Sequence, residues 1–389
     1  MRDQVRPAAC ACASPVSTSA ALVRYRGRLR PCSRDRSVRL ASFFGRSDAE
    51  QWLADDGQEG SDDAGGAAGG AFDVSDAFAA ISSARRGLEF FKTEMDKPEE
   101  DIDLLASACY VAMHRSPGIS VDDVRHELDK MAKLIEAQLP PVEERFPLRT
   151  IKTISRVFAG ELAFRGNIEN YYEVENSCID EVLKRKTGIP ITLCLVYMEL
   201  AARVGVRMVE VSIPGHLLCR PVGESESGME ILVDAFNLGD TLFIEEVENI
   251  LSRNSMLSDG QKVQIERTFL EQRDVAKKAF LTRMLGNLKG IYDSREDFAS
   301  ALRITEYMMV CNPYKSLEVP LVRTLGLNYF RCGRWIDAIE TLESYLIKAE
   351  GSSVDTRVDE EVNISLDTSR RILALERDVL SAMEDSQDV

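Results

Sequence analysis

The segment 188–205 constrains this chain more than any other. Between Gly188 and Gly205 only Thr192, Glu199 and Arg203 are clearly polar. Pro190 suits the first position of a helix, where its missing N–H would have no partner in any case. Gly205 suits the residue just past the end, which commonly takes a left-handed conformation. Glu199 and Arg203 are i,i+4 neighbours and mark the one polar edge. A helix apolar on nearly every side has to be enclosed, so this one is expected at the centre of its domain.

Both flanks carry structure. Upstream, Gly166 in Phe164-Arg165-Gly166-Asn167 marks a backbone turn, and Asn176 can cap a helix from Ser177 to about Lys186 with Ile179, Val182 and Leu183 inward. Downstream, 208–213, 216–220 and 230–234 read as strands, the last two joined by the polar, glycine-containing connection 221–228. A symmetric hairpin there sets Arg220 opposite Glu230, Leu218 opposite Leu232 and His216 opposite Asp234. All six share one face, because side chains two apart point the same way. Directly opposed residues have Cβ atoms roughly 5 Å apart.

The remainder reads as helical. Ser75 can cap a helix carrying Phe78, Ile81, Leu88 and Phe91; a second spans about 99–114 and is broken at Pro117-Gly118. Ser120 with Asp123 forms a capping-box variant before Val124, Leu128, Met131 and Leu134. A fourth helix follows Pro140-Pro141 with Leu148, Ile151, Ile154 and Phe158. His114 and His126 lie among these helices without an acidic or thiol cluster at ligand spacing, so no metal is expected. Beyond Asp240 the pattern is helical again. Asp297-Phe298 with Ala301 is echoed by Arg334-Trp335 with Ala338, an offset of 37 residues, and Tyr329, Gly333 and Ala338 sit at packing positions of a helix–turn–helix repeat. A last helix is expected over about 366–383. The fold class is α+β, mostly helical: a helical N-terminal part, a small antiparallel sheet on a buried central helix, and C-terminal helical repeats.

Charge and cysteine usage exclude several classes. Residues 1–47 hold ten Arg, no Lys and two Asp, a net of +8, so the rest of the chain carries −24 of the overall −16. So acidic a body lacks the basic footprint that phosphate backbones need. The Arg/Ser/Ala-rich start has the composition of an organelle transit peptide. Residues 48–76, with nine acidic residues and no basic ones, read as a disordered acidic Gly/Ala linker. Domains are therefore expected at 77–270 and 271–389. Nine cysteines without a C-x-x-C pair indicate reduced thiols rather than a disulfide framework. No apolar run approaches the roughly 18–20 residues that span a bilayer.

Five motifs in order give a resemblance. Phe164-Arg165-Gly166-Asn167, Asn176-Ser177, Gly188-Ile189-Pro190-Ile191-Thr192-Leu193, Pro214-Gly215-His216 and Asp234-Ala235-Phe236-Asn237, followed by Arg283-Met284-Leu285-Gly286-Asn287-Leu288-Lys289, resemble the SirB-type family over about residues 95–350. The resemblance implies a transglutaminase-like core joined to tetratricopeptide-like helices, a motif set comprising Asn167, Asn176, Gly188, Pro190, Pro214, Gly215, His216, Asp234 and Asn237, and, with the leader, import into the chloroplast stroma, mitochondrion being the runner-up. Active transglutaminase-like enzymes place a cysteine at the start of the central helix, where the helix end and a histidine oriented by an aspartate activate it. In this sequence the histidine and aspartate fall on His216 and Asp234, and the nucleophile position falls on Pro190.

Two functions stay open at this point. One is a non-catalytic interaction or scaffold module binding protein partners, with no cofactor. The other is a thiol-dependent hydrolase or transferase using Cys194 or Cys178 with His216 and Asp234. Cys194 lies four residues past the helix start, about 6 Å along the axis and beyond the reach of most of the helix dipole. Cys178 is near a helix start, and Cys219 belongs to the strand face opposite His216. The His216–Asp234 pair itself reads either as a structural clamp between strands or as a residual ligand or partner site.

Overall fold

A computed structural model describes residues 74–213, 216–222, 231–248, 274–350 and 359–387. Its described part divides into two units, residues 96–112 with 118–284 and residues 74–95 with 113–117 and 285 onward. The division therefore falls after Met284 rather than at residue 270, and the first helix, α1 (Val74–Met95), groups with the C-terminal helices. Its fully buried Phe91 meets Tyr307 edge to face at 5.0 Å, which ties α1 to that unit.

The first unit opens with a 3-10 turn, Glu99–Asp101, and α2 (Leu104–Ala112). The single helix expected over 99–114 is split because Asp103 caps the second part, its Oδ1 accepting from Ala106 N at 2.8 Å. In α3 (Val121–Glu136), Ser120 Oγ accepts from Asp123 N at 3.3 Å. Val124, Leu128, Met131 and Ile135 face inward, whereas Leu134, read from the sequence as part of that stripe, is exposed. Pro147 starts α4 (Pro147–Arg156), which buries Ile151 and Ile154 and runs into a π-helical turn, Val157–Glu161. Phe158 of that turn stacks on Phe164 at 4.7 Å.

Two-residue strands β1 (Arg165–Gly166) and β2 (Thr187–Gly188) pair in parallel, on either side of α5 (Ile179–Arg185). They deliver the chain to α6 (Pro190–Arg203), in which every residue from Pro190 to Met198 is buried. Gly205 follows with φ +85°. The central helix is thus enclosed as its composition demands. Against it lies an antiparallel sheet in the order β3 (Met208–Ile213), β4 (His216–Pro221), β5 (Ile231–Asp234), β6 (Asp240–Phe243).

That sheet corrects two expectations. β6 was read as the return to helix; it pairs with β5, Leu232 opposite Leu242. The register between β4 and β5 sets Cys219 opposite Val233, two residues along from the Ile231 of the symmetric hairpin. His216 is therefore diagonal to Asp234 rather than directly opposed. Because the shift is even in the sum of paired positions, the two still share a face. Glu230, expected opposite Arg220, lies outside the described residues, as do Pro214 and Gly215.

α7 (Lys277–Ser294) carries the division between the units. The second unit continues with α8 (Phe298–Cys311), α9 (Lys315–Arg331), α10 (Trp335–Glu350) and α11 (Glu360–Gln387). Asp297 caps α8 through Ser300 N at 3.1 Å, and Gly333, at φ +74°, makes the turn between α9 and α10. Val322, Leu327, Leu342, Tyr345, Val362 and Leu366 form the core. α11 starts before the expected residue 366 because Val362 is part of that core. His114 is a packing residue here, its buried Nε2 2.6 Å from Tyr292 Oη.

Candidate functional site

Four of the motif residues build a scaffold at the start of α6. Asn176 is fully buried. Its Nδ2 donates to the carbonyls of Asn170 (2.8 Å) and Tyr171 (3.1 Å), and its Oδ1 accepts from Asn167 Nδ2 at 3.0 Å. Asn167 Oδ1 accepts in turn from Asn170 N at 2.9 Å. The loop 167–176 is thereby wound around two amide side chains, which supply backbone partners that the short β1–β2 ladder cannot. The carbonyl of Asn176 accepts from Thr192 Oγ1 at 2.6 Å, and the same hydroxyl accepts from Ile189 N at 3.3 Å, which fastens the first turn of α6 to the loop.

Two glycines are required by close approach. A Cβ on Gly166 would lie 2.6 Å from the Phe236 ring, and one on Gly188 would lie 2.9 Å from Thr192 Oγ1 and 3.2 Å from Val182. Pro190 fills the first position of α6 and is buried. No sulfur stands there. Asn167, Asn176, Gly188 and Pro190 thus form a structural lattice, with no ionisable group among them.

The chemically capable pair is a separate group. His216 Nε2 lies 2.8 Å from Asp234 Oδ2. Asp234 is further engaged by Asn237 Nδ2 at 2.6 Å and by the N–H groups of Phe236 and Asn237, both at 3.1 Å. Burial alone would raise the Asp234 carboxyl; the hydrogen bond and charge of His216, with the Asn237 donors, outweigh it and hold the carboxyl below its usual range. Asp234 Oδ2 faces Nε2, so Nδ1 is the ring nitrogen that Asp234 leaves unengaged. The His216 side chain is 24% exposed and its ring meets Phe236 edge-on at 6.1 Å.

Arg283 is a site residue that the sequence placed in a motif without assigning it a task. Its guanidinium donates to the His216 carbonyl at 3.1 Å and to Ser212 Oγ, so it fixes the backbone at the start of β4.

The thiols lie elsewhere. Cys194 is fully buried, its Sγ 3.7 Å from the Leu217 carbonyl. The Cys219 thiol beside it, burial and nearby acidic charge push the Cys194 thiol well above its ordinary pKa. Cys219 alternates to the sheet face opposite His216, and Cys194 stands with Cys219; no hydrogen bond joins Cys194 to His216 among the described residues. Cys178 is the N-cap residue of α5 and is fully buried. All six cysteines among the described residues are buried. No group of acidic, thiol and imidazole ligands suited to a metal occurs among the described residues.

A cleft of about 690 Å³ opens at the other end of α6, lined by Asp129, Lys133, Glu136, Arg145, Arg203 and Arg207 among others. Its cations face the C-terminal turns of α3 and α6, where positive charge offsets the helix dipoles. Arg145 is spent on Glu136 and on the carbonyls of Pro140 and Val204, and Arg203 on Asp129 and Glu199. These contacts explain the cleft as structure.

Parts of the chain are similar to known proteins. Residues 122–286 match the family model described as Transglutaminase-like superfamily. The chain is 26% identical over 250 residues to a UPF0162 protein of Xylella fastidiosa, covering 64% of this chain and 84% of that protein. It is 28% identical over 276 residues to F-box only protein 21 of Homo sapiens, of which it spans 42%. It is 26% identical over 207 residues to Protein SirB1 of Salmonella typhimurium, spanning 71% of it. Over residues 122–286 the chain is thus similar to the transglutaminase-like superfamily, and over longer stretches to the UPF0162 and SirB1 proteins.

Proposed function

We propose that the chain is a non-catalytic protein-interaction or scaffold module: a degenerate transglutaminase-like core followed by tetratricopeptide-like repeats, imported by its basic leader into the chloroplast stroma. The observation that carries this reading is the occupant of the first position of α6, a proline, together with the full burial of Cys194 and Cys178. The motif residues Asn167 and Asn176 hold the loop 167–176, and Thr192 fastens the first turn of α6 to it. The partly exposed imidazole of His216 then offers its second ring nitrogen to a bound segment. Support also comes from length: the matched region spans 42% of the human relative, so it recurs as one part of a larger chain, as a binding module would. The localisation rests on ten Arg, no Lys and two acidic residues in 1–47 and on the family resemblance.

Complementation of cells lacking the protein tests this. The Cys178→Ala/Cys194→Ala chain is expected to restore function fully. Ile336→Lys with Ile347→Lys, at exposed positions eleven residues apart on one face of α10, is expected to abolish it while leaving the fold intact. Loss of function in the cysteine variant, with normal protein level and melting temperature, would overturn the proposal.

A further inference from the structure

The acidic body carries a surface of the opposite sign on α4. Arg149, Lys152, Thr153 and Arg156 recur at i, i+3, i+4 and i+7 on α4 and so form one stripe, on the side away from buried Ile151 and Ile154. With Phe146 and Leu148 they line a depression of about 500 Å³. Phe146 is 62% exposed, and Val142 beside it in sequence is 68% exposed. Arg156 lies 3.8 Å from Glu161, a long and exposed pairing. No ion pair to Arg149 or Lys152 occurs among the described residues. The stripe differs in this from Arg145 and Arg203, whose guanidinium groups are consumed by carbonyls and carboxylates.

We propose that this stripe is a docking surface for an acidic protein segment anchored by an apolar side chain against Phe146. Charge complementarity selects the occupant. An acidic peptide finds attraction here and repulsion over the rest of a body whose net charge is strongly negative, which gives direction to the encounter as well as register. Arg149 and Arg156 are seven residues apart, about 10 Å along the helix. That length matches a few residues of extended chain. A nucleic-acid duplex engages more phosphates than three cations can meet and would bring the acidic remainder against its own charge. The inference stands on α4 alone and does not depend on what His216 does.

The test uses the full chain and fluorescent peptide probes in anisotropy titrations: an Asp/Glu peptide containing one Phe, the same peptide with Asn/Gln in place of the acids, and a basic counterpart. The acidic probe is expected to bind, about tenfold more weakly at 0.5 M than at 0.05 M salt, and the other two are not. Arg149→Glu with Lys152→Glu should weaken acidic-probe binding at least about tenfold, with circular dichroism and melting temperature unchanged because both residues are exposed. Phe146→Ala should weaken it further without altering the salt dependence. No binding of the acidic probe at millimolar concentration, equal binding of the neutral probe, or an unaffected double charge reversal each overturns the proposal. So does tighter binding of single-stranded DNA or of anionic vesicles through the same residues.

Discussion

Asn176→Ala is expected to destabilise the first unit by about 3 kcal/mol. The substitution removes both donors to the Asn170 and Tyr171 carbonyls and the acceptor for Asn167. Asn176 is fully buried, so no water replaces the lost partners without rearrangement of the loop. Asn167→Ala, at a partly exposed position, should cost about 1 kcal/mol. Hydrogen exchange gives the clearest readout, because a chain of two units need not unfold in a single step. Protection should fall in the first turn of α6 and around the loop 167–176, while α8 to α10 keep theirs. An Asn176→Ala protein with unchanged protection there would show that the loop is held by something other than this amide.

The second large effect belongs to the other unit. Gly326→Val should cost about 3 kcal/mol. A Cβ at this position would sit 2.5 Å from Leu342 Cδ2, 2.7 Å from Cγ and 3.2 Å from the Leu342 backbone nitrogen. Leu342 is fully buried within the α9–α10 core, so it cannot swing aside, and the backbone contact forces the helices apart. The thermal transition of the second unit is expected to fall while exchange in α6 is unchanged. Leu342→Ala combined with Gly326→Val should recover part of the loss, which a merely poor helix residue at 326 would not allow.

How far the sequence reaches depends on how local the cause is. Pro190 and Gly205 bound the central helix through backbone chemistry that acts within a few residues, and the observed helix, Pro190–Arg203, follows those signals. Ser120 and Asp297 cap their helices for the same reason. The β4–β5 register was not readable, because a connection of several residues sets no particular pairing, unlike a two-residue turn. Phase survived nonetheless: alternation alone keeps His216 and Asp234 on one face whenever the slip is even. β6 escaped because Asp240–Phe243 is short and follows a turn with Leu238 at φ 59° and Gly239 at φ 73°, a reversal written in backbone angles rather than in hydrophobic period. The grouping of α1 with α8 depends on Phe91 meeting Tyr307, residues far apart in sequence. The Asn176 lattice was legible only as a motif, since a list of recurring residues does not separate those that bind from those that hold a loop.

The proposed function rests on His216 and Asp234 having no thiol to activate among the described residues. Timed alkylation of the folded, full-length chain at neutral pH, with each labelled cysteine located by peptide mapping, tests it directly. Cys109, Cys178, Cys194, Cys219, Cys311 and Cys332 are all buried, burial raises the Cys109 thiol and holds Cys332 up at about 11, and Cys194 is raised further by Cys219. These six should react only as the chain unfolds, at rates that His216→Ala does not change. Rapid stoichiometric labelling of Cys194 or Cys178 in the native protein, abolished by His216→Ala, would contradict the account.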